Sequence, residues 1–308
     1  MSGRTGRARR ATVGALSAAV ALTLVTACGR SGGGSSGAST TPSASSAKDA
    51  TIAAEVPSAL RSKGQLTVAT DASYPPNEFF GPDNKTIVGM DADLGHSLGQ
   101  VLGLPFTFAN VSFDSIIPNL GSRYDLGMSS FTDNKKREQQ VSMVTYFSAA
   151  TSFVVQSSSK VTITGLDSLC GLSVAVEKGT TQLDDATAQS AKCTQAGKKK
   201  VTVQPYPDEN GVNLALSSGR ANVLLADSPV NDYLVKKSNG QFKLAGPKYG
   251  TAPYGIAVPK GASYTGLDKA VLDALKKLMA DGTYQQILTK WGIQAGAISN
   301  PVINGAVS

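Results

Sequence analysis

Residues 66–71, Leu66-Thr67-Val68-Ala69-Thr70-Asp71, set the reading of everything around them. A short run rich in β-branched residues, closed by a carboxylate and followed by Ala72-Ser73-Tyr74-Pro75-Pro76, is a strand that leads into a loop. Leu94, Leu98 and Leu102 then recur at helical spacing and predict a helix over 91–101. Phe106-Thr107-Phe108 is a second strand, 113–120 a short helix and 125–129 a third strand. A helix over 133–141 follows, with Thr132 or Asp133 as its N-cap. Strands alternating with helices predict an α/β fold with a parallel sheet. The same rhythm then restarts. Strands are expected at 172–176, 201–203 and 223–226, the last ending at Asp227, with helices over 181–191 and 210–217 between them. Two such blocks predict two similar lobes. A helix over 267–280 and another carrying Trp291 end the pattern, with Trp291 packing the chain's end onto a lobe.

Composition narrows the function classes. The chain has 308 residues, a formal charge of +7, 41% hydrophobic residues, three Cys and one His. That apolar content excludes a wholly disordered chain, and so few Cys and His exclude zinc fingers and dense disulfide scaffolds. The charge is unevenly spread. Arg4, Arg7, Arg9 and Arg10 supply four of the seven, residues 28–50 a net one, and residues 51–308 only +2. The folded part is nearly neutral, so no nucleic-acid partner is expected. The arginines precede an apolar stretch over 11–27, the pattern of a secretory signal peptide. Val25-Thr26-Ala27-Cys28 resembles the lipobox of bacterial lipoproteins, which implies cleavage before Cys28 and a lipid on its thiol. An ordinary signal peptide with an incidental Cys remains the alternative, and Arg9-Arg10 leaves Sec and twin-arginine export both open. Gly and Ser make up 12 of the 22 residues of 29–50, a flexible tether with a reach of roughly 25 Å. Cys170 and Cys193 lie in an exported chain and are expected to form a disulfide.

In open α/β sheets ligands bind at the carboxyl ends of strands, where helix N-termini present free N–H groups. Those ends here offer Asp71, the stretch 129–137, the stretch 179–182 and Asp227. None carries a Ser–His–Asp set, a metal cluster or a Walker loop, so neither an enzyme nor a cofactor or metal is expected. Carboxylates, an arginine, hydroxyls and backbone amides suit a zwitterion.

Several motifs carry a resemblance. Thr70-Asp71-Ala72-Ser73-Tyr74-Pro75-Pro76, Val88-Gly89-Met90-Asp91-Ala92-Asp93-Leu94, 113–120, Met128-Ser129-Ser130-Phe131-Thr132 running to Lys136-Arg137, Gly179-Thr180-Thr181-Gln182, Ala226-Asp227 and Asp281-Gly282-Thr283-Tyr284 stand in order across roughly residues 64–295. Together they resemble the family 3 extracellular solute-binding proteins of ABC importers for polar amino acids. The resemblance implies a two-lobe, type II periplasmic-binding-protein-like fold, each lobe a sheet flanked by helices, joined by a two-crossing hinge. On that plan residues 1–27 are the signal peptide and 28–61 the lipid anchor and flexible linker. Residues 62–153 plus 247–308 form lobe 1, and 154–246 lobe 2, with crossings near 154–155 and 246–247.

The resemblance also implies roles. Arg137 would fork the α-carboxylate of an amino acid, with Ser130, Thr132 and N–H groups near Thr132 and Thr181 completing its hydrogen bonds. Asp227 would accept the α-ammonium, helped by Ser130. Tyr74 and Phe113 would sandwich the side chain and Asp71 would meet its polar end, with Ser129, Thr180 and Gln182 lining the same site. For Arg137 the competing reading is a surface helix residue, for Asp227 a helix N-cap, and for Asp71 a turn carboxylate. Glu177 either joins Asp71 around a cationic side chain (Arg, Lys or ornithine) or faces solvent beside Lys178; an amide ligand such as Gln fits Asp71 alone. The expected partners are a small polar amino acid, an ABC permease and, through the lipid anchor, the membrane outside the cell; the chain itself is expected to be a monomer. The rivals are a dehydratase-like enzyme on the same scaffold and the sensor domain of a signalling system.

Overall fold

A computed structural model describes residues 47–307; the expected signal peptide, Cys28 and most of the tether lie outside the described residues. The strand that opens the sequence argument forms at Leu66–Thr70 and pairs in parallel with Phe106–Asn110 on one side and Leu126–Gly127 on the other. A second parallel group comprises Ser173–Glu177 between Val223–Asp227 and Thr202–Tyr206. The two groups belong to one nine-stranded sheet, joined by a long antiparallel pair, Val141–Gln156 and Tyr249–Pro259. Within each group the strands are parallel, as the alternation predicts, and at the centre the antiparallel pair carries the chain between the groups twice, in opposite directions.

Helices Met90–Leu102, Leu267–Ala280 and Thr283–Trp291 pack on the first group over an apolar core that includes Leu66, Val68, Leu94, Leu98, Val271, Leu275 and Leu278. Trp291 is half-buried, donates its indole N–H to Asp93 Oδ2 at 2.7 Å and meets the ring of Phe79 edge-on at 5.7 Å. The second group has cores on both faces. Helices Glu209–Ser217 and Ser228–Lys237 cover one, and Thr181–Gln195 covers the other, where a disulfide joins Cys170 to Cys193.

Three local expectations change. The helix expected over 133–141 spans only Lys135–Glu138, and its N-cap is Asn134, whose side chain accepts the Arg137 N–H. A cap at Asn134 satisfies one end of a single turn, and Val141 already starts the long strand. That strand is almost wholly buried and so lacks the polar alternation by which a strand is read. Residues 50–61, expected in the tether, form helices Ala50–Glu55 and Ser58–Arg61. They sink Val56 and Leu60 into the first core, each 1% exposed. Among the described residues no helix is long and apolar enough to cross a membrane.

Candidate functional site

The parallel strands of both groups point their carboxyl ends at one cavity. It brings together all twelve residues singled out in the sequence: Asp71, Tyr74, Phe113, Ser129, Ser130, Thr132, Arg137, Glu177, Thr180, Thr181, Gln182 and Asp227. Glu78 is the thirteenth lining residue.

Arg137 sits at the end of the single-turn helix that Asn134 caps, and it is 7% exposed. Its guanidinium lies 5.3 Å from the ring centres of both Phe113 and Phe131, which stack on each other. Nη1 donates to the carbonyl of Thr132 at 2.8 Å and Nη2 to the carbonyl of Gly179 at 3.1 Å. A guanidinium has five N–H donors, so these two bonds leave three. Among the described residues no carboxylate lies within ion-pair distance of it. Burial accordingly lowers its pKa to about 10, with Asp227 as the largest opposing charge. The surface-helix reading of Arg137 is corrected: the turn is too short to carry it away from the cavity.

Asp227 occupies the N-cap position of Ser228–Lys237, yet its side chain makes no capping bond. Oδ1 accepts from Gln182 Nε2 and Oδ2 from the Tyr254 hydroxyl, each at 2.7 Å, while its N–H donates to the Tyr74 hydroxyl at 2.9 Å. Gln182 is held in turn by Thr151. Burial raises the Asp227 pKa to about 6 despite these donors. Tyr74 thus binds across the cleft to the Asp227 backbone, and Phe113 stacks on Phe131.

Asp71 is also nearly buried. Its carboxylate accepts the Phe113 N–H at 3.0 Å, which fixes it at the start of helix Phe113–Asn119, and burial raises its pKa to about 6. Glu177 is 4% exposed, and its Oε1 has no hydrogen-bond partner. Burial, then the charges of Asp71 and Glu209, push its pKa well above the usual carboxylate range. The reading that placed Glu177 in solvent beside Lys178 is thereby corrected. Thr180 caps Thr181–Gln195, accepting from Leu183 N and donating to the Glu177 carbonyl, so the N-terminus of that helix opens onto the cavity beside Thr181.

Ser129 and Ser130 lie over a buried acid pair that sequence reasoning missed. Ser129 Oγ donates to Glu78 Oε1 at 3.2 Å and Ser130 Oγ to Glu78 Oε2 at 3.1 Å. Asp91 accepts the Ser130 N–H and the Tyr146 hydroxyl. Burial, followed by the charge of the neighbouring Asp91, holds the Glu78 pKa well above the ordinary range. Ser130 has a left-handed backbone, φ +52°, unusual for a residue with a Cβ, and this network keeps it there. Glu209 was missed as well. It is 1% exposed with neither carboxylate oxygen partnered, and its N–H donates to Ser73 Oγ across the cleft. Its only sequence signal was an acid in a helix's first turn, the usual mark of a solvated N-terminus.

The cleft is closed. Besides Arg137 to Gly179, Tyr74 to Asp227 and Ser73 to Glu209, a Cβ on Gly179 would stand 2.9 Å from Asp114 Cβ; Gly179 has φ +77°. Glycine is required there by the approach of the second strand group to the first.

The profile of the bacterial extracellular solute-binding proteins, family 3, matches residues 66–294. The arginine-binding protein ArgT of Corynebacterium glutamicum is 34% identical over 255 residues, covering 82% of each chain. Among solved structures, an ancestral arginine-binding protein bound to arginine is 32% identical with a TM-score of 0.66, covering 74% of this chain and 98% of that one. An ancestral amino-acid-binding protein described as a precursor of cyclohexadienyl dehydratase is 28% identical with a TM-score of 0.65, covering 76% and 97%.

Proposed function

This chain belongs to the bacterial extracellular solute-binding proteins, family 3, and from that premise we propose that it captures a cationic amino acid, arginine before lysine or ornithine, for an ABC importer. The observation that carries this reading is the charge arrangement. Arg137 is a buried cation with donors to spare, Asp227 a buried anion, and Glu177 a buried carboxyl with an unpartnered oxygen. An amino acid's α-carboxylate pairs with the Arg137 fork and its α-ammonium with Asp227. A guanidinium at the side chain's end then meets Glu177 and Asp71, with Glu209 behind them. Glutamine would leave those carboxylates uncompensated, and glutamate would add a further negative charge, which burial penalises heavily. The arginine-binding names of ArgT and of the ancestral protein support the same side chain.

Binding and release, without turnover, complete the function. The two lobes are taken as 62–153 plus 247–308 and 154–246, with helices Ala50–Glu55 and Ser58–Arg61 packed on the first. The hinge is drawn through the long antiparallel pair, where the pairing register shifts between Tyr249 opposite Thr151 and Ala252 opposite Ala149, just before the expected 154–155 crossing and just after the expected 246–247 crossing. Val154 itself already pairs with Leu224 and Leu244. A ligand that touches Arg137 on one lobe and Asp227 on the other favours the closed state by its differential affinity. The closed protein then delivers its cargo to a membrane permease. Cys28 carries the lipid that, with the 29–46 tether, keeps a monomer near that permease outside the cell.

A thermal-shift screen of the twenty amino acids with ornithine and citrulline tests the reading, since a ligand that binds only the folded state raises Tm in proportion to RT ln(1 + [L]/Kd). L-Arginine is expected to give the largest shift and citrulline, its neutral isostere, almost none. A dominant response to glutamine or to an acidic amino acid overturns the cationic assignment.

A further inference from the structure

Ser129 and Ser130 each have a hydroxyl that can give a proton to a ligand or receive one, and the protein has settled which. Ser129 Oγ accepts the Asp71 N–H at 2.9 Å, and Ser130 Oγ accepts Asn77 Nδ2 at 2.9 Å. Both then donate to Glu78, one to each carboxyl oxygen. A hydroxyl has one proton and two lone pairs. With the proton spent on Glu78 and one lone pair on the protein's own donor, each serine can offer the cavity only an acceptor. Glu78 receives one serine on each carboxyl oxygen, while the neighbouring Asp91 carboxylate is held by the Tyr146 hydroxyl and the Ser130 N–H. All these groups are buried: Glu78 is 1% exposed, Ser129 2%, Ser130 4% and Asn77 0%.

We infer that Glu78 is a positioning residue that orients the Ser129 and Ser130 hydroxyls as paired acceptors, so that the cavity selects a ligand bearing an α-ammonium. The inference rests on the proposed amino-acid reading and adds to it the group that makes the serines read ammonium and not carboxylate. Asp227 supplies the charge, and the two serine hydroxyls that line the same cavity supply the remaining acceptors for three N–H donors. In Glu78→Gln the amide Nε2 donates where a carboxyl oxygen accepted. At least one serine must accept that N–H and swing its own proton toward the cavity, where it opposes the ammonium.

Three probes separate this from a loss of packing: L-arginine, agmatine (no α-carboxylate) and 5-guanidinopentanoate (no α-ammonium), measured on the full exported chain by displacement calorimetry. Losing a hydrogen bond to a charged group corresponds to roughly 10- to 100-fold in affinity. Glu78→Gln is expected to weaken L-arginine and agmatine by that factor and to leave 5-guanidinopentanoate within about twofold. Ser130→Ala should weaken L-arginine similarly, and Glu78→Gln should then cost clearly less in that background than alone. This cycle needs arginine only, so it decides the question even where an analogue binds too weakly to titrate or Glu78→Gln folds poorly at elevated temperature. Equal losses for L-arginine and 5-guanidinopentanoate, or full additivity with Ser130→Ala, overturn the role of Glu78. A wild-type chain that binds neither L-arginine nor agmatine overturns the cationic amino-acid reading itself, a result distinct from both.

Discussion

Asp227 and Glu177 end adjacent parallel strands of the same sheet, both lie below a tenth exposed, and both line the cavity. Their surroundings differ. Asp227 has a donor on each oxygen, Gln182 and Tyr254, and its backbone N–H is taken by Tyr74. Glu177 has an oxygen with no donor, and its neighbours Asp71 and Glu209 raise its pKa further. Asp227 is therefore positioned before anything arrives, whereas Glu177 and Glu209 are held in a buried state that is expensive until a cation compensates it. In the proposed function this divides the cavity into a fixed end for the α-amino acid group common to all candidates, and a costly end where side chains are told apart.

The sharpest attempt to break the fixed end is Arg137→Ala. Truncating one partner of a buried charge pair costs about 2–5 kcal/mol, and L-arginine and any other amino-acid ligand should lose about the same amount by calorimetry. Unchanged affinity would remove Arg137 from the site. At the other end the loss should be selective. Glu177→Gln is expected to weaken L-arginine by about 1.5–3 kcal/mol while leaving glutamine unchanged or stronger, since an amide suits a neutral partner. Equal losses for the two ligands would erase the distinction between the ends.

Acid should affect the two ends together, and its sign follows from burial. Asp71 and Asp227 have pKa values raised to about 6, and burial pushes Glu177 and Glu209 well above the usual carboxylate range. A cationic ligand needs them ionised, so L-arginine affinity should fall as pH drops from 7.5 to 5, with proton release on binding near pH 6 by calorimetry in buffers of different ionisation enthalpy. Stability of the free protein runs the other way. A carboxyl whose folded pKa lies above its unfolded value contributes stability that is present below pH 4 and lost as pH rises through 6. His96, half-buried with its pKa lowered, opposes this in the same window. Asp49 and Asp83, with lowered pKa values, act only below pH 4. The free protein should melt higher at pH 5 than at pH 7.5, and the shift given by L-arginine should be larger at pH 7.5. The reverse order would mean that these acids are not the dominant titrating groups.

The contrast between Asp227 and Glu177 also marks what the sequence could disclose. Helix 267–280 was legible because its periodicity is imposed by one buried face, and Leu267–Ala280 has the bounds expected of it; strand 66–70, buried on both faces, was legible from its β-branched run and the carboxylate that closes it. Strand ends were legible because a parallel sheet exposes helix N-termini there. The long strand Val141–Gln156 was not, since burial on both faces removes alternation and leaves an apolar run of no clear period. Glu78 follows two prolines and an asparagine, and nothing local says that Asp91, thirteen residues on, will share its burial. Glu209 sits where acids normally cap a helix, and nothing local announces that its N–H will bond Ser73 of the opposite strand group or that it will be buried near the Asp227 and Asp71 charges. Residues 50–61 look like more tether because Ile52, Val56 and Leu60 are their only large apolar residues, a four-residue spacing too brief to outweigh the Gly/Ser stretch before it.

The smallest change is the most informative about why the fixed end is fixed. Tyr254→Phe removes one donor from Asp227 and leaves Gln182, itself braced by Thr151, on the other oxygen. Tyr254 is 1% exposed and its ring packs against Phe147, so the variant keeps the ring and loses only the hydroxyl. If redundancy holds Asp227 in place, the cost to L-arginine should be about 0.5–1.5 kcal/mol, below that of Glu177→Gln. The Tyr254 hydroxyl is also the strongest of the donors that keep the Asp227 carboxyl from rising further. Without it the pKa moves up, so the acid side of the arginine-affinity profile should shift to higher pH while the plateau changes little. A loss as large as that of Arg137→Ala would mean that Asp227 depends on a single donor, and the two strand ends would then differ in degree and not in kind.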